Sequence, residues 1–169
     1  MVAELTALLI AGAACLTDLR SARIPNVLTF GAVALGLVFH VLTPPGSGAA
    51  FAGAGLLAGL LVFFPFFALG AMGAGDVKLM AALGVWIGWQ PTLQVALYGA
   101  LAGGVLAVGV ALWHGYLRQA LRNLRTLFGH WWLVGIRPLP ELTLDAGKGL
   151  RLPYALPIMV GLVVTLWRA

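Results

Sequence analysis

Apolar residues in this chain fall into long blocks with short polar breaks. Six blocks are candidates to cross the roughly 30 Å of hydrocarbon in a bilayer: Val2–Thr17, Pro25–Leu42, Ala49–Met72, Val77–Trp89, Thr92–Trp113 and Pro153–Trp167. The breaks are rich in turn formers, as in Thr43-Pro44-Pro45-Gly46-Ser47-Gly48 and Gln90-Pro91. One connection, His114 to Leu152, is long and polar. No stretch alternates with the period of a barrel strand, and a segment in lipid must satisfy its own backbone hydrogen bonds, so each block is predicted to be helical. The pattern predicts an all-α polytopic membrane protein with six transmembrane helices.

Within the long connection the pattern changes. Leu117, Leu121, Leu124 and Phe128 recur at helical spacing, Arg118, Arg122 and Arg125 occupy another face, and Trp131-Trp132 closes the run. This predicts an amphipathic helix in the interface between the fifth and sixth spans, lying on anionic lipid. Residues 1–169 read as one membrane-embedded domain, and residues 114–152 as a basic cytoplasmic loop within it.

Composition supports the membrane assignment: 62% of residues are hydrophobic and 9% charged, against roughly 25% charged in soluble domains. With six spans, nine of the ten Lys and Arg residues fall on one side. Arg20 and Arg23 follow the first segment, Lys78 the third, and Arg118, Arg122, Arg125, Arg137, Lys148 and Arg151 the fifth, leaving Arg168 on the other side. The positive-inside rule makes the basic side cytoplasmic, which puts both termini on the outer side. The net charge of +5 is explained by this topology, and no nucleic-acid-binding motif accompanies it. Leu5–Ala14 before Cys15 resembles a lipoprotein signal faintly, but the first residues carry Glu4 and no Lys or Arg, so the terminus is expected to stay uncleaved.

Charge at the inner face raises the chemical question. Of the five acidic residues, Glu4 is terminal and Glu141 and Asp145 lie in the long loop; Asp18 and Asp76 border spans on the cytoplasmic side, 58 residues apart. The fourth segment, from Asp76 to Trp89, is about 14 residues and roughly 21 Å of helix, too short for the full hydrocarbon. With Trp89 at the outer interface Asp76 is recessed, and the sixth segment is similarly short. A water-filled notch open to the cytoplasm is the setting that tolerates such carboxylates. Two carboxyl groups facing one another there share a proton near neutral pH. The ionised one takes a proton from water and the protonated one polarises a carbonyl, which is the requirement for peptide hydrolysis; either aspartate fits either role. Gly73 and Gly75 let a substrate backbone approach and let the chain bend into the helix of Asp76.

These residues carry a resemblance. Gly73-Ala74-Gly75-Asp76-Val77-Lys78-Leu79 resembles the Gly-x-Gly-Asp signature of the type IV prepilin peptidases, intramembrane aspartyl proteases. Asp18-Leu19-Arg20-Ser21-Ala22-Arg23-Ile24-Pro25-Asn26 is similar to their other motif, an aspartate ahead of Ile-Pro-Asn. The two cover most of residues 15–90. The resemblance implies catalysis by Asp18 and Asp76, no cofactor or metal, and a prepilin substrate cut at the cytoplasmic face of the bacterial inner membrane, typically after a glycine that precedes its hydrophobic helix. Larger members carry paired Cys-x-x-Cys motifs and N-methylate the product; with Cys15 alone, this chain resembles the short form associated with Flp-type pili, lacking the methyltransferase region.

Plainer readings stand beside each assignment. Asp76 also suits a helix N-cap, and Asp18 an interfacial partner of Arg20 or Arg23. Lys78 reads as an inner-face anchor whose charge also favours ionised Asp76. Pro25 and Asn26 shape the start of the second helix or position Asp18. Pro153, Tyr154 and Pro157 bend the start of the sixth helix or expose backbone to an extended substrate, and resemble the proline-containing motif near the C-terminus of intramembrane aspartyl proteases. His40, His114 and His130 lack ligand spacing, and Gly55 and Gly59 read as helix-packing positions. From other classes, a proton- or ion-coupled transporter would use the two aspartates as a relay, but such folds carry an internal repeat and midplane acidic residues, whereas no repeat is seen here and the aspartates sit toward one face. An inactive assembly subunit of a secretion machine would not require both carboxylates.

Overall fold

The computed structural model describes residues 1–43, 48–135, 137 and 152–168. They form seven helices in chain order and no strand: α1 (Val2–Ser21), α2 (Asn26–Leu42), α3 (Gly48–Ala68), α4 (Ala74–Ile87), α5 (Trp89–Trp113), α6 (Leu117–Val134) and α7 (Ala155–Arg168). Three of them, α1, α3 and α5, are long and apolar enough to cross a membrane. The others with apolar sequence are shorter, at 17 residues for α2 and 14 each for α4 and α7.

The shortness of α4 follows from its place. Val77 and every residue from Leu79 to Ile87 are buried, and α1, α2, α3, α5 and α7 all pack against it. A helix apolar on all faces belongs at the centre of a bundle. Glycine allows the close approach: Gly55 of α3 lies against the Gly84 backbone, and Gly59 against Met80 and Ala81, so that a β-carbon at either would collide with α4 main chain. Gly161 of α7 meets Val95 and Gly99 of α5 in the same way. Such small-residue seams substitute backbone van der Waals contact for the hydrophobic effect, which does little between helices in lipid. The indole N–H of Trp86 donates to the carbonyl of Ala32 at 3.0 Å, tying α4 to α2 and satisfying a buried donor. Leu9, Leu35, Leu61, Leu101, Val105 and Leu112 point outward from the bundle, an apolar surface that suits lipid.

Several element boundaries differ from those the sequence predicts. The third helix ends at Ala68 and not Met72, because Gly70 (φ 72°) closes it: the Gly70 N–H donates to Phe67 O and that of Ala71 to Phe66 O, a Schellman cap. Gly115 ends α5 with the same pair of bonds. Gln90-Pro91, expected as a turn, is the first turn of α5, where proline's missing N–H has no partner to lose. The turn is made by Gly88 (φ 79°) instead. Pro157 has the same tolerated place in the first turn of α7. The first helix continues past Thr17 to Ser21, so Asp18 lies inside its last turn. The predicted Pro44–Ser47 turn lies outside the described residues, as do Glu141, Asp145, Lys148 and Arg151 of the long loop.

Candidate active site

Asp18 and Asp76 arrive at one place from opposite ends of two helices. After Asp18, α1 closes at Ala22, whose left-handed backbone (φ 50°) turns its N–H back to Asp18 O at 2.8 Å. The chain then extends to Pro25, the N-cap of α2. Asp76 is three residues after the N-cap Gly73 of α4, not the cap itself, and its N–H donates to Gly73 O at 3.2 Å. A β-carbon at Gly73 would stand 3.2 Å from Asp76 Oδ2, so glycine leaves room for the carboxylate to lie over the chain. At Gly75 a β-carbon would press on Ile24 at 3.3 Å, so this glycine lets the α1–α2 turn close against α4.

Helix dipoles treat the carboxylates differently. An anion in the first turn of α4 is favoured, whereas Asp18 sits at the unfavourable end of its own helix. A third helix offsets this: the N–H of Ala155, first residue of α7, donates to Asp18 Oδ2 at 3.2 Å. It is one of the N-terminal amides that a helix leaves without an internal partner. Among the described residues no ion pair engages either aspartate, so Arg20 and Arg23 do not neutralise Asp18.

Two cavities meet at the aspartates and share Asp18, Ala22, Gly73 and Asp76 in their walls. One, of about 290 Å³, is completed by Leu19, Leu152, Pro153 and Tyr154. The other, of about 510 Å³, continues past Arg23, Pro25, Asn26, Gly75 and Lys78. The Lys78 ammonium donates to Asn26 Oδ1 at 2.9 Å and lies 5.3 Å from the centre of the Phe30 ring. Tyr154 lies between the Phe63 ring, 6.2 Å away and edge-on, and Gly103 of α5, where a β-carbon would stand 3.2 Å from the Tyr154 ring and hydroxyl.

The structure therefore brings together Asp18, Asp76, Gly73, Gly75, Lys78, Pro25, Asn26, Pro153 and Tyr154. Pro157 stands apart: it is fully buried, with its carbonyl facing Gly99 of α5, and lines neither cavity. Leu19, Ala22, Leu152 and the Ala155 amide are members that sequence reasoning missed. Ala22 sits within the first motif, but its left-handed backbone has no sequence signal in an alanine.

A model of the type IV leader peptidase family matches residues 5–108. The chain belongs to that family. The match includes both aspartates and both motifs and ends before α6 and α7. The chain is similar to the prepilin leader peptidase/N-methyltransferase of Pectobacterium carotovorum subsp. carotovorum, 34% identical over 124 residues, which are 70% of this chain and 43% of that protein. It is similar also to that of Aeromonas salmonicida (strain A449), 37% identical over 101 residues, 56% of this chain and 35% of the relative. A segment of 47 residues is 49% identical to the corresponding protein of Burkholderia pseudomallei (strain K96243), covering 28% and 15% of the two chains. The chain thus spans less than half the length of these relatives. No solved structure matches it.

Proposed function

We propose that this chain is an aspartic endopeptidase that removes the leader of prepilin-like substrates, of the Flp type, at the cytoplasmic face of the bacterial inner membrane. The observation that carries the reading is the shared wall: Asp18 on α1 and Asp76 on α4 open onto the same two cavities, and among the described residues no cation pairs with either. One proton held between them leaves one carboxylate to deprotonate water and one carboxylic acid to polarise the scissile carbonyl. Peptide lying across the pair reaches from one cavity into the other.

In this reading α1 to α5 and α7 are the six spans, and the ends of the helices that carry Asp18 and Asp76 face the cytoplasm with the basic loop. Helix α6 lies on anionic lipid, with Leu121, Leu124 and Phe128 exposed on its apolar face and Arg118, Arg122 and Arg125 toward headgroups. The activity proposed for these residues is leader removal, as in the short form that the chain resembles. A proton relay is less well supported: beyond Asp76, the residues from Leu79 to Ile87 are packed on every side, and both aspartates stand at one end of this core. The direct test is incubation of the purified chain with a candidate Flp-type prepilin, read as loss of the leader by mass spectrometry.

A further inference from the structure

The two cavities beside the aspartates differ in character. The smaller has Leu19, Leu152, Pro153 and Tyr154 and, among the described residues, no charge apart from the aspartates. The larger has two cations, Arg23 and Lys78, with Ser21 and Asn26. Hydrolysis makes its two products unlike as well. Water oxygen bonds to the carbonyl carbon, the C–N bond breaks, and one water proton passes to the departing nitrogen. The N-terminal fragment then ends in a carboxylic acid, which ionises at neutral pH, while the C-terminal fragment begins with an amine, which takes up a proton.

A new carboxylate beside two aspartates is strongly disfavoured unless a cation meets it. Among the described residues the smaller cavity offers none. In the larger, one of the three ammonium protons of Lys78 is held by Asn26 Oδ1, leaving two donors for another acceptor. Lys78 is two residues from Asp76 in the same helix and lines the cavity into which both aspartates open. Its four-carbon stem lets the ammonium turn without moving the backbone.

We propose that the substrate lies across Asp18 and Asp76 with its N-terminal half in the Arg23–Asn26–Lys78 cavity and its C-terminal half in the Leu19–Leu152–Tyr154 cavity, and that Lys78 binds the carboxylate newly formed on the leader. This rests on the peptidase reading and adds a direction to it. The apolar wall then receives the first residues of the mature protein, and Asn26 holds the ammonium clear of the aspartates until a product carboxylate competes for it.

The test is equilibrium binding of a fluorescent synthetic leader peptide to the full chain in detergent. The peptide comes from a candidate prepilin and is made once with a free C-terminal carboxylate and once as the amide. The wild type is expected to bind the acid about tenfold more tightly, the contribution of one charge-assisted hydrogen bond. Lys78→Gln should bring the acid to the affinity of the amide and leave the amide where it was. Asn26→Ala removes the competing acceptor and should tighten the acid alone, which keeps the proposal testable if Lys78→Gln does not fold. Equal binding of acid and amide by the wild type, a preference that survives Lys78→Gln, or an Asn26→Ala protein with unchanged or weaker acid binding overturns the proposal. Cleavage of the whole prepilin is measured alongside: no cleavage by the wild type defeats the peptidase reading itself, whereas cleavage without an acid–amide contrast defeats only the assignment of Lys78.

Discussion

The amide of Ala155 reaches across 137 residues of sequence to donate to Asp18 Oδ2 at 3.2 Å. It makes α7 part of the site through its backbone, with no side chain involved. Asp18 and Asp76 thereby each lie at the amino end of a helix, Asp76 at that of its own and Asp18 at that of a neighbour.

This bond can be removed with the helix kept. Proline at position 155 has no N–H, yet the first position of a helix suits it. Ala155→Pro is expected to lower the rate of leader removal by about tenfold to a hundredfold, the range for a hydrogen bond to a charged group, with helix content by circular dichroism unchanged. An unchanged rate would show that Asp18 does not depend on α7.

The carboxylates themselves give the sharpest expectation. Asp18→Asn and Asp76→Asn should each reduce cleavage below detection with membrane insertion intact, because an amide cannot exchange the proton the reaction uses. Arg20→Ala should cost little, since Arg20 is exposed and pairs with neither aspartate. Measurable processing by either Asn variant would remove that aspartate from the chemistry.

The aspartates were legible in the sequence because each sits in a short local motif, and the charge pattern put both on one face. Their surroundings were less so. The Ala155 amide, Leu19 and Leu152 enter the site only when α7 packs on α1, and a backbone donor has no residue type to betray it. Proline misled at Gln90-Pro91, which read as a turn but lies in the first turn of α5, where the absent N–H costs nothing. Central burial of α4 was hidden too, since a short apolar segment reads alike whether lipid or five neighbouring helices surround it.

The α3–α4 seam predicts a contrast among glycines. Gly84→Ala would drive a methyl group into the Gly55 backbone, and overpacking of this kind costs roughly 1–3 kcal/mol. Gly104→Ala and Gly109→Ala meet open space and should be neutral or slightly stabilising through helix propensity. Thermal unfolding in detergent, followed by circular dichroism, distinguishes the two classes; equal midpoints would mean that the seam is looser than described.

At Ala22 the left-handed backbone (φ 50°) is unfavourable for a residue with a side chain, by about 1–2 kcal/mol. Ala22→Gly removes that strain and should hold or raise the unfolding midpoint. The β-branched Ala22→Val adds to the strain and should lower it, with cleavage falling as well because residue 22 lines both cavities. If glycine lowers stability more than valine, the backbone at this corner is not left-handed.

The proton that the proposed mechanism shares between Asp18 and Asp76 sets the expected pH dependence of cleavage. As pH falls, the carboxylate serving as base becomes protonated and the rate declines; as pH rises, the proton serving as acid is lost and the rate declines again. The rate should therefore be bell-shaped, and both limbs belong to the pair rather than to one residue. The acid limb requires one carboxylate to ionise with its neighbour still protonated, and the alkaline limb requires the second to ionise beside a charge already present, so the limbs should be separated more widely than two independent aspartates would allow. Raising the ionic strength tests the coupling: screening by salt that enters the open cavities weakens the repulsion and should shift the alkaline limb downward more than the acid limb. A rate that rises to a plateau with no alkaline decline would mean that no proton is shared, and that Asp18 and Asp76 act as two ionised carboxylates.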